Sequence, residues 1–343
     1  YYFKGARGYA HAAPVEHDGK LGALVYFINP DPRKLHAVDV DGMSELYHAI
    51  EAVEAHADEL EFCVFFGAYD PVHAGADITQ FAGDPDVDAI RAHLYRGADL
   101  DARVKALWPR LRTVAAFCGD RYGGSVEWPL FAEWGVCDNA TRIQFTEVHL
   151  GIVPGWNGIL NTWLKSGQFN AKYMGCTGNP VNAEQMKLMG LVQEVVETPE
   201  PPDRRSVEPE KWQEVWNAHA EVCEELLLSA ALGVATQERP LIRAKGYMLE
   251  REERLDEEIS RRTNVPAYAA LKQKTAEAAA KLDPESQKDE IKALIKASQK
   301  ELSALGKPLA PAAIDAVKGF LEQWGNLTTG EVFERYSEIG RHE

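Results

Sequence analysis

The first half of this chain repeats one local order, in which an apolar stretch leads into a glycine-containing loop and then into a helical pattern. The order occurs in "EFCVFFGAYDPVHAGADITQF", in "TVAAFCGDRYGGSVEWPLFAEW" and in "RIQFTEVHLGIVPGWNGILNTWLKSG". An earlier apolar run, "LGALVYF", precedes a helix with an apolar stripe formed by Met43, Leu46, Ile50 and Val53. Strands that alternate with helices predict an α/β fold with functional loops at the strand ends.

Charge and composition exclude several classes of protein. A net charge of −16 over 343 residues argues against a nucleic-acid partner, because phosphate binding depends on clustered Lys and Arg. No apolar run is long enough to span a bilayer and the N-terminus lacks signal-peptide order, so we expect a cytoplasmic protein without a membrane partner. The five cysteines are scattered without CxxC spacing, which predicts buried thiols and no metal site.

The composition changes after the proline-rich acidic stretch around residues 199–202. We therefore predict an α/β core over residues 1–200 and a C-terminal helical region over residues 201–343. Within that region, residues 251–305 combine dense mixed charge with intermittent Leu, Ile and Ala. This pattern favours a solvated helical hairpin with one apolar stripe over a coiled coil dedicated to a partner.

The stretch "RYGGSVEW" places two adjacent glycines between an apolar strand and a helix, with a glutamate three residues after the second glycine. Amides in the first turn of a helix have no intrahelical acceptor, so the N–H of Gly124 is available to an incoming oxygen. Glu127 shares its helical face and would stand beside that oxygen. A helix cap with a glutamate that offsets the helix dipole explains the segment equally well.

The stretch "HAGADI" offers a second amide. Small residues around Gly75 allow a ligand to approach the backbone closely, and the N–H of Ala76 is the natural partner of that of Gly124. Two converging amides form an oxyanion hole, which stabilises negative charge on a carbonyl oxygen. The two stretches together predict a site for a carbonyl group.

Glu147 follows an extended segment and precedes a Pro-Gly turn. Among apolar neighbours such as Phe145 and Val148, its carboxylate would be costly to bury unless it is paired or used. Partial burial would raise its pKa into a range useful for proton transfer. Taken in isolation, the segment is better explained by a surface glutamate on an edge strand.

In combination, these segments resemble the crotonase (enoyl-CoA hydratase/isomerase) superfamily. "HAGADI" is similar to its AGADI loop, "GDRYGGSVEW" to its GxxxGGGxEL turn and "FTEVHLGIVPGWNG" to its PEVxLGxxPGxGG block. The later stretch "YMGCTGNPVNAEQMKLMGLVQEVV" resembles the family's LTGxxxxAxEAxxxGLVxxVV segment. The motifs occur in the family's order, and the resemblance covers about residues 21–196.

The resemblance implies the crotonase fold, in which repeated ββα units form a spiral core, here with an extended C-terminal helical region. It implies that the amides of Ala76 and Gly124 bind the thioester oxygen of a coenzyme A ester. Glu127 and Glu147 match both acidic residues of the hydratases: the pair would position and activate water, and Glu147 would exchange a proton with the α-carbon as the enolate forms. The neighbouring loop residues are expected substrate contacts: Ala74, Asp77, Ile78 and Gly123.

The resemblance also implies which molecules the protein meets. The expected partner is an acyl-CoA substrate, with no cofactor beyond the coenzyme A of that substrate, and the expected assembly is a homotrimer or hexamer. Arg33 and Lys34 lie where the family commonly meets the nucleotide end of coenzyme A, although a solvated turn explains them as well. Trp128 and Trp156 would line a pocket for a flat or cyclic acyl group, and core packing is the alternative for each.

Three functions follow from these features. The first is a hydratase or hydro-lyase that acts on an α,β-unsaturated acyl-CoA, including a cyclic or aromatic-derived one. The second uses the same enolate chemistry for ring-opening C–C hydrolysis of a cyclic oxo-acyl-CoA such as 6-oxocyclohex-1-ene-1-carbonyl-CoA. The third is a non-catalytic protein of the same fold that binds acyl-CoA, against which both oxyanion loops and both carboxylates argue.

Overall fold

The computed structural model describes residues 2–30, 36–76, 87–263, 265–283, 286–325 and 331. The strands are β1 (Phe3–Lys4), β2 (Ala10–His17), β3 (Lys20–Phe27), β4 (His36–Val38), β5 (Phe62–Gly67), β6 (Val72–Ala76), β7 (Arg112–Phe117), β8 (Asp120–Tyr122), β9 (Trp134–Asp138), β10 (Arg142–Gln144), β11 (Val181–Asn182) and β12 (Glu194–Val196). The helices are α1 (Val40–Ala55), α2 (Val87–Leu107), α3 (Gly124–Glu127), α4 (Glu147–Leu150), α5 (Gly158–Ser166), α6 (Gln168–Thr177), α7 (Ala183–Leu188), α8 (Trp212–Thr236), α9 (Glu252–Thr263), α10 (Pro266–Ala279), α11 (Lys288–Ala304) and α12 (Pro311–Gly325).

The described strands form two sheets. The larger sheet has the order β1-β2-β3-β5-β7-β9-β12 and the smaller one the order β11-β10-β8-β6-β4. From β3 to β12 the larger sheet is parallel, and β4, β6, β8 and β10 are parallel in the smaller one. Four times a strand of the larger sheet is followed by a strand of the smaller sheet and then by a helix. This arrangement confirms the predicted α/β fold of repeated ββα units.

Helix α1 is amphipathic, as its sequence pattern predicts. Its N-terminus is capped by Asp39, whose side chain accepts a hydrogen bond from the Gly42 amide at 2.7 Å. The predicted stripe is buried in the core between α1 and the larger sheet: Met43, Leu46, Ile50 and Val53. The sequence period therefore identified the face of α1 that packs inward.

Helix α3 is much shorter than the helical pattern that follows the second glycine loop. It has four residues and passes into a 3-10 turn, Trp128–Phe131. Pro129 has no N–H, so it cannot continue the α-helix by donating to the carbonyl of Ser125. Arg121 donates to that carbonyl instead, from Nη1 at 3.1 Å. The break makes Glu127 the last residue of α3.

The C-terminal helices contact both the core and the short helix α4. Leu255 and Ile259 of α9 are buried in the main hydrophobic cluster. From α10, the Tyr268 hydroxyl donates to the His149 carbonyl at 2.8 Å, and the Ala310 amide donates to the Val148 carbonyl at 3.1 Å. The backbone of α4, which begins at Glu147, is therefore fixed by residues far along the chain.

Two further properties concern the whole described chain. All five cysteines are buried free thiols, which confirms that prediction. Within the residues that the structure describes, no helix is both long enough and apolar enough to cross a membrane.

Candidate active site

The two predicted oxyanion loops lie against each other at the ends of β6 and β8. A Cβ atom placed on Gly75 would be 2.7 Å from the Gly124 nitrogen and 2.8 Å from the Tyr122 carbonyl oxygen. Real Cβ atoms do not approach backbone this closely, so the contact requires glycine at position 75. The backbone of Ala76 is consequently next to the turn that carries the Gly124 amide. The fold brings the two predicted donors to one place.

Side chains beneath the second loop fix its shape. Gly123 has φ +56°, a left-handed conformation that favours glycine. The hydroxyl of the buried Ser125 accepts from the Tyr122 amide at 2.9 Å and donates to the His73 carbonyl at 2.8 Å. Arg121 is fully buried and donates from Nε to the Cys118 carbonyl at 2.9 Å. The side chain of Ser125 thus ties β6 to the turn.

Glu127 is 2% exposed and is bound by a third segment, the turn before α5. Its Oε1 accepts hydrogen bonds from the backbone amides of Trp156 and Gly158, both at 2.8 Å. No described group donates to Oε2 in addition. One carboxylate oxygen is therefore anchored to the backbone, and the second is not used by that anchor.

Glu147 is 8% exposed, so the surface-glutamate alternative is wrong. It is the first residue of α4, and its Oε1 lies 2.9 Å from the position of a Cβ on Gly123. Its Oε2 is buried without a hydrogen-bond partner among the described residues. A buried carboxyl oxygen without a partner is costly, and such groups concentrate at functional sites. Glu147 therefore has the environment expected of a group that handles protons.

The two carboxyl groups have raised pKa values. Burial raises the pKa of Glu147 to about 7. Burial raises the pKa of Glu127 as well, and the nearby charge of Glu147 raises it further, whereas the two amides on Oε1 favour its ionised form. Two neighbouring carboxyls in a buried site cannot both ionise easily, so we expect them to share one proton near neutral pH.

The two tryptophans have different surroundings. The indole of Trp156 lies between Gly97 of α2 and Gly124 of α3, where added Cβ atoms would come within 2.0 Å and 2.3 Å of it. The indole therefore packs directly behind the turn that carries the Gly124 amide. Trp128 packs edge-on against Phe27, with ring centroids 5.5 Å apart, and lies beneath the guanidinium of Arg121. This environment favours core packing for Trp128, the alternative that the sequence left open.

The remaining predicted contacts divide into two groups. Ala74 is half-buried on β6, next to the Gly75 contact described above, and Gly123 lies beside Glu147. The other four lie outside the described residues: Arg33, Lys34, Asp77 and Ile78.

Sequence reasoning missed a polar group behind Glu127. Asp101 of α2 is fully buried and accepts hydrogen bonds from Asn157 and Asn161 of the turn and helix that hold the Glu127 carboxyl. The signals available were Asp101 and Lys105, four residues apart on the buried face of α2, together with Asn157 shortly after the Pro-Gly turn. Asn157 lies within the segment "FTEVHLGIVPGWNG" but has no assigned role there, and Asp101 lies outside all of the motifs that pointed to the site.

Comparison with known proteins places this site in a family. The profile of the enoyl-CoA hydratase/isomerase family matches residues 23–238, which include every element of the site described so far. The chain belongs to this family. Family membership supports an enzyme.

The chain is also similar to individual proteins of known sequence or structure. Over 157 residues the chain is 32% identical to the fatty acid oxidation complex subunit alpha of Pseudomonas putida, a match that covers 45% of this chain and 21% of that subunit. It is 28% identical to a probable enoyl-CoA hydratase of Rhizobium meliloti, over 53% of this chain and 67% of the relative. An enoyl-CoA hydratase structure from Bacillus anthracis has a TM-score of 0.50 at 16% identity, covering 92% of this chain and 96% of that one, which supports the fold.

The raised pKa of Glu147 predicts how stability changes with pH. Because the folded protein keeps this proton to higher pH than the unfolded chain, the stabilisation is complete below about pH 4.5 and is lost as the pH rises through about 7. The variant Glu147→Gln removes the titration. We expect its free energy of unfolding, measured with urea, to exceed that of the parent at pH 8, by no more than about 3 kcal/mol, and to approach it at pH 5. A difference that is constant with pH would contradict the burial effect.

Proposed function

We propose that the protein is a hydratase that adds water to an α,β-unsaturated acyl-CoA thioester, or removes it in the reverse direction. The observation that supports this most is the pair of buried carboxyls, Glu127 and Glu147, on two separate elements next to the adjoining backbone loops. Water addition needs one group to take a proton and another to give one. A protonated and an ionised carboxyl side by side meet both needs.

In the proposed reaction, the amides of Ala76 and Gly124 bind the thioester oxygen. The Glu127 carboxylate, favoured by its two backbone donors, takes a proton from water as the water oxygen bonds to the β-carbon. Electrons move from the C=C bond onto the thioester oxygen, and the amides stabilise the resulting enolate. Glu147 then gives its proton to the α-carbon, and the carbonyl forms again. The elements of one water are added, and Glu127 is left protonated and Glu147 ionised. Transfer of that proton from Glu127 to Glu147 restores the pair for the next turnover.

The ring-opening hydrolase is the second candidate. It needs the same enolate chemistry and would follow hydration with cleavage of a C–C bond, so both glutamates fit it. The C-terminal helices α9 to α12 lie beyond the stretch that the family profile matches, and they are the feature that favours this candidate. The burial of Trp128 in the core weakens the argument for a wide aromatic pocket.

Product analysis by mass spectrometry separates the candidates. The protein would be incubated in heavy-oxygen water with linear enoyl-CoA, cyclic dienoyl-CoA and cyclic oxo-enoyl-CoA esters. We expect one water to be gained with the chain or ring intact. A water gained with an opened ring and a new carboxylate would establish the hydrolase, and no change with any ester would favour a non-catalytic acyl-CoA-binding protein.

Two expectations about partners complete the proposal. The substrate supplies coenzyme A, and the proposed chemistry needs no other cofactor. The proposed assembly is a homotrimer or hexamer, which light scattering of the purified protein would test. A monomer at all concentrations would contradict it without affecting the proposed reaction.

A further inference from the structure

The turn that binds Glu127 is itself held by a buried polar cluster between α2 and α5. The cluster consists of Asp101, Lys105, Asn157 and Asn161. Oδ2 of Asp101 accepts from Nδ2 of Asn157 at 2.8 Å, and Oδ1 accepts from Nδ2 of Asn161 at 3.1 Å. Lys105, one turn along α2, forms a short ion pair with the same carboxylate. Asp101 therefore uses both oxygens on the segment that holds Glu127.

Asn157 connects this cluster to the Glu127 carboxyl. It is the residue between the two backbone donors, Trp156 and Gly158, whose amides both reach Oε1 of Glu127 at 2.8 Å. Its φ of +71° is left-handed, a conformation that asparagine tolerates better than most other residues. The side chain of Asn157 is thus fixed by Asp101 at the point where the backbone reverses to aim two amides at one oxygen.

We propose that Asp101 is a positioning residue for Glu127: through Asn157 it holds the two backbone amides on Oε1 and so directs Oε2 toward the reacting atoms. The inference rests on the proposed function, because it assigns a support to a carboxyl that the proposed function makes catalytic. It adds a residue outside the family motifs to the machinery of the site.

A purely structural role for Asp101 as the counter-ion of Lys105 explains less. A buried ion pair is often no more stabilising than apolar side chains of the same volume. A counter-ion role also requires neither of the hydrogen bonds to Asn157 and Asn161. The nearby Lys165 is held by backbone hydrogen bonds, since its ammonium donates to the carbonyls of Leu130 and Ala132.

The charge of Asp101 also reaches Glu127. Burial is the main cause of the raised pKa of Glu127, followed by the charge of Glu147, and Asp101 raises it further. Two of the described cations interact with Asp101, Lys105 of α2 and Lys165 of α5. Loss of the negative charge at position 101 alone lowers the pKa of Glu127, whereas loss of the two amide hydrogen bonds on Oε1 raises it, because those bonds favour the ionised form.

The first variant that tests the proposal is D101N/K105M, which removes both charges together. Asp101→Asn alone is unsuitable, because it would leave the Lys105 charge unpaired in the interior. An asparagine at 101 keeps an acceptor for one neighbour and loses the other. We expect kcat to fall by about 10-fold or more, because small displacements of catalytic groups are costly, while KM stays within about 2-fold. Because the opposite charges of Asp101 and Lys105 are removed together, weakening of the two amide hydrogen bonds is the main effect on Glu127, and the limb of the pH–rate profile that reports Glu127 should move to higher pH.

Asn157→Gly supplies the second, independent variant. Glycine keeps the left-handed backbone but removes the Nδ2 donor to Asp101. If Asp101 acts through Asn157, N157G should lower kcat to a similar extent, and adding it to D101N/K105M should cost little more. Wild-type kcat and pH profile in D101N/K105M, or fully additive losses, would overturn the proposal.

Two further variants distinguish a failure of this inference from a failure of the proposed function. Glu45→Gln is the matched control, because Glu45 is a buried carboxyl that accepts from the Arg7, Tyr9 and Ala10 amides at a distance from the site. It should lower stability without changing kcat or the pH profile. Glu127→Gln is measured in parallel. If E127Q keeps full turnover, the proposed function fails; if E127Q is inactive and D101N/K105M behaves as the wild type, only the positioning role fails.

Discussion

Replacing Glu127 by Gln is expected to lower kcat for the best enoyl-CoA substrate by about 10³-fold. The glutamine can still accept hydrogen bonds from the Trp156 and Gly158 amides through Oε1, so the turn keeps its anchor. What it loses is the ability to take a proton from water. Steady-state kinetics would give kcat, and calorimetric titration with a non-reactive acyl-CoA analogue should give a Kd close to that of the parent.

Glu147→Gln should show a loss of the same order, because the enolate α-carbon then lacks its proton donor. Glu45→Gln, the buried carboxyl on α1, serves again as the control for the general cost of removing a buried charge. Full turnover in either E127Q or E147Q would contradict the proposed mechanism. Loss of activity in E45Q as large as in E127Q would show that misfolding explains the result.

The second large effect is expected from Gly75→Ala. The new Cβ would lie 2.7 Å from the Gly124 nitrogen, so the two loops must separate. Separation moves the amides of Ala76 and Gly124 apart, and loss of one oxyanion donor typically costs about 10²–10³-fold in kcat. Kinetics on the same substrate would measure the fall, and KM should change less than kcat, since the oxyanion develops only in the transition state.

Gly233→Ala is the matched substitution. Position 233 lies in α8, and no described atom beyond its chain neighbours and its own helix backbone is within 4 Å of the Cβ that alanine would add. The change should leave kcat unaltered and stabilise the helix by about 0.5–1 kcal/mol. If G75A retained wild-type kcat, the amides of Ala76 and Gly124 would not form the oxyanion hole of this enzyme.

The amino-acid sequence predicted those parts of the fold and of the site that depend on a local pattern of residues. The glycine loops, the helical stripe of α1 and the apolar strands all depend on residues a few positions apart, and the structure has each of them. Burial of Glu147 was harder to predict, because its neighbours in sequence also suit an edge strand. The burial of Glu147 depends on its packing against Gly123, which belongs to a different strand-loop unit.

The role of Asp101 could not be predicted from local pattern at all. Its partners Asn157 and Asn161 are 56 and 60 residues away and meet it only because α2 packs near α5. The short length of α3 was likewise hidden, although its cause, Pro129, is visible in the sequence. The missing information was that Arg121 would take the carbonyl that Pro129 leaves free.

The attachment of α4 to the C-terminal helices has a consequence for the order in which the enzyme becomes active during folding. Tyr268 and Pro308 contact His149 across 119 and 159 residues of chain. Contacts that close such long loops form late, after the entropy of the intervening chain has been lost. The two sheets can pair before α4 is fixed, so we expect secondary structure to precede the appearance of catalytic activity in refolding. Acquisition of a competent Glu147 would then mark the last step of the folding of a single subunit.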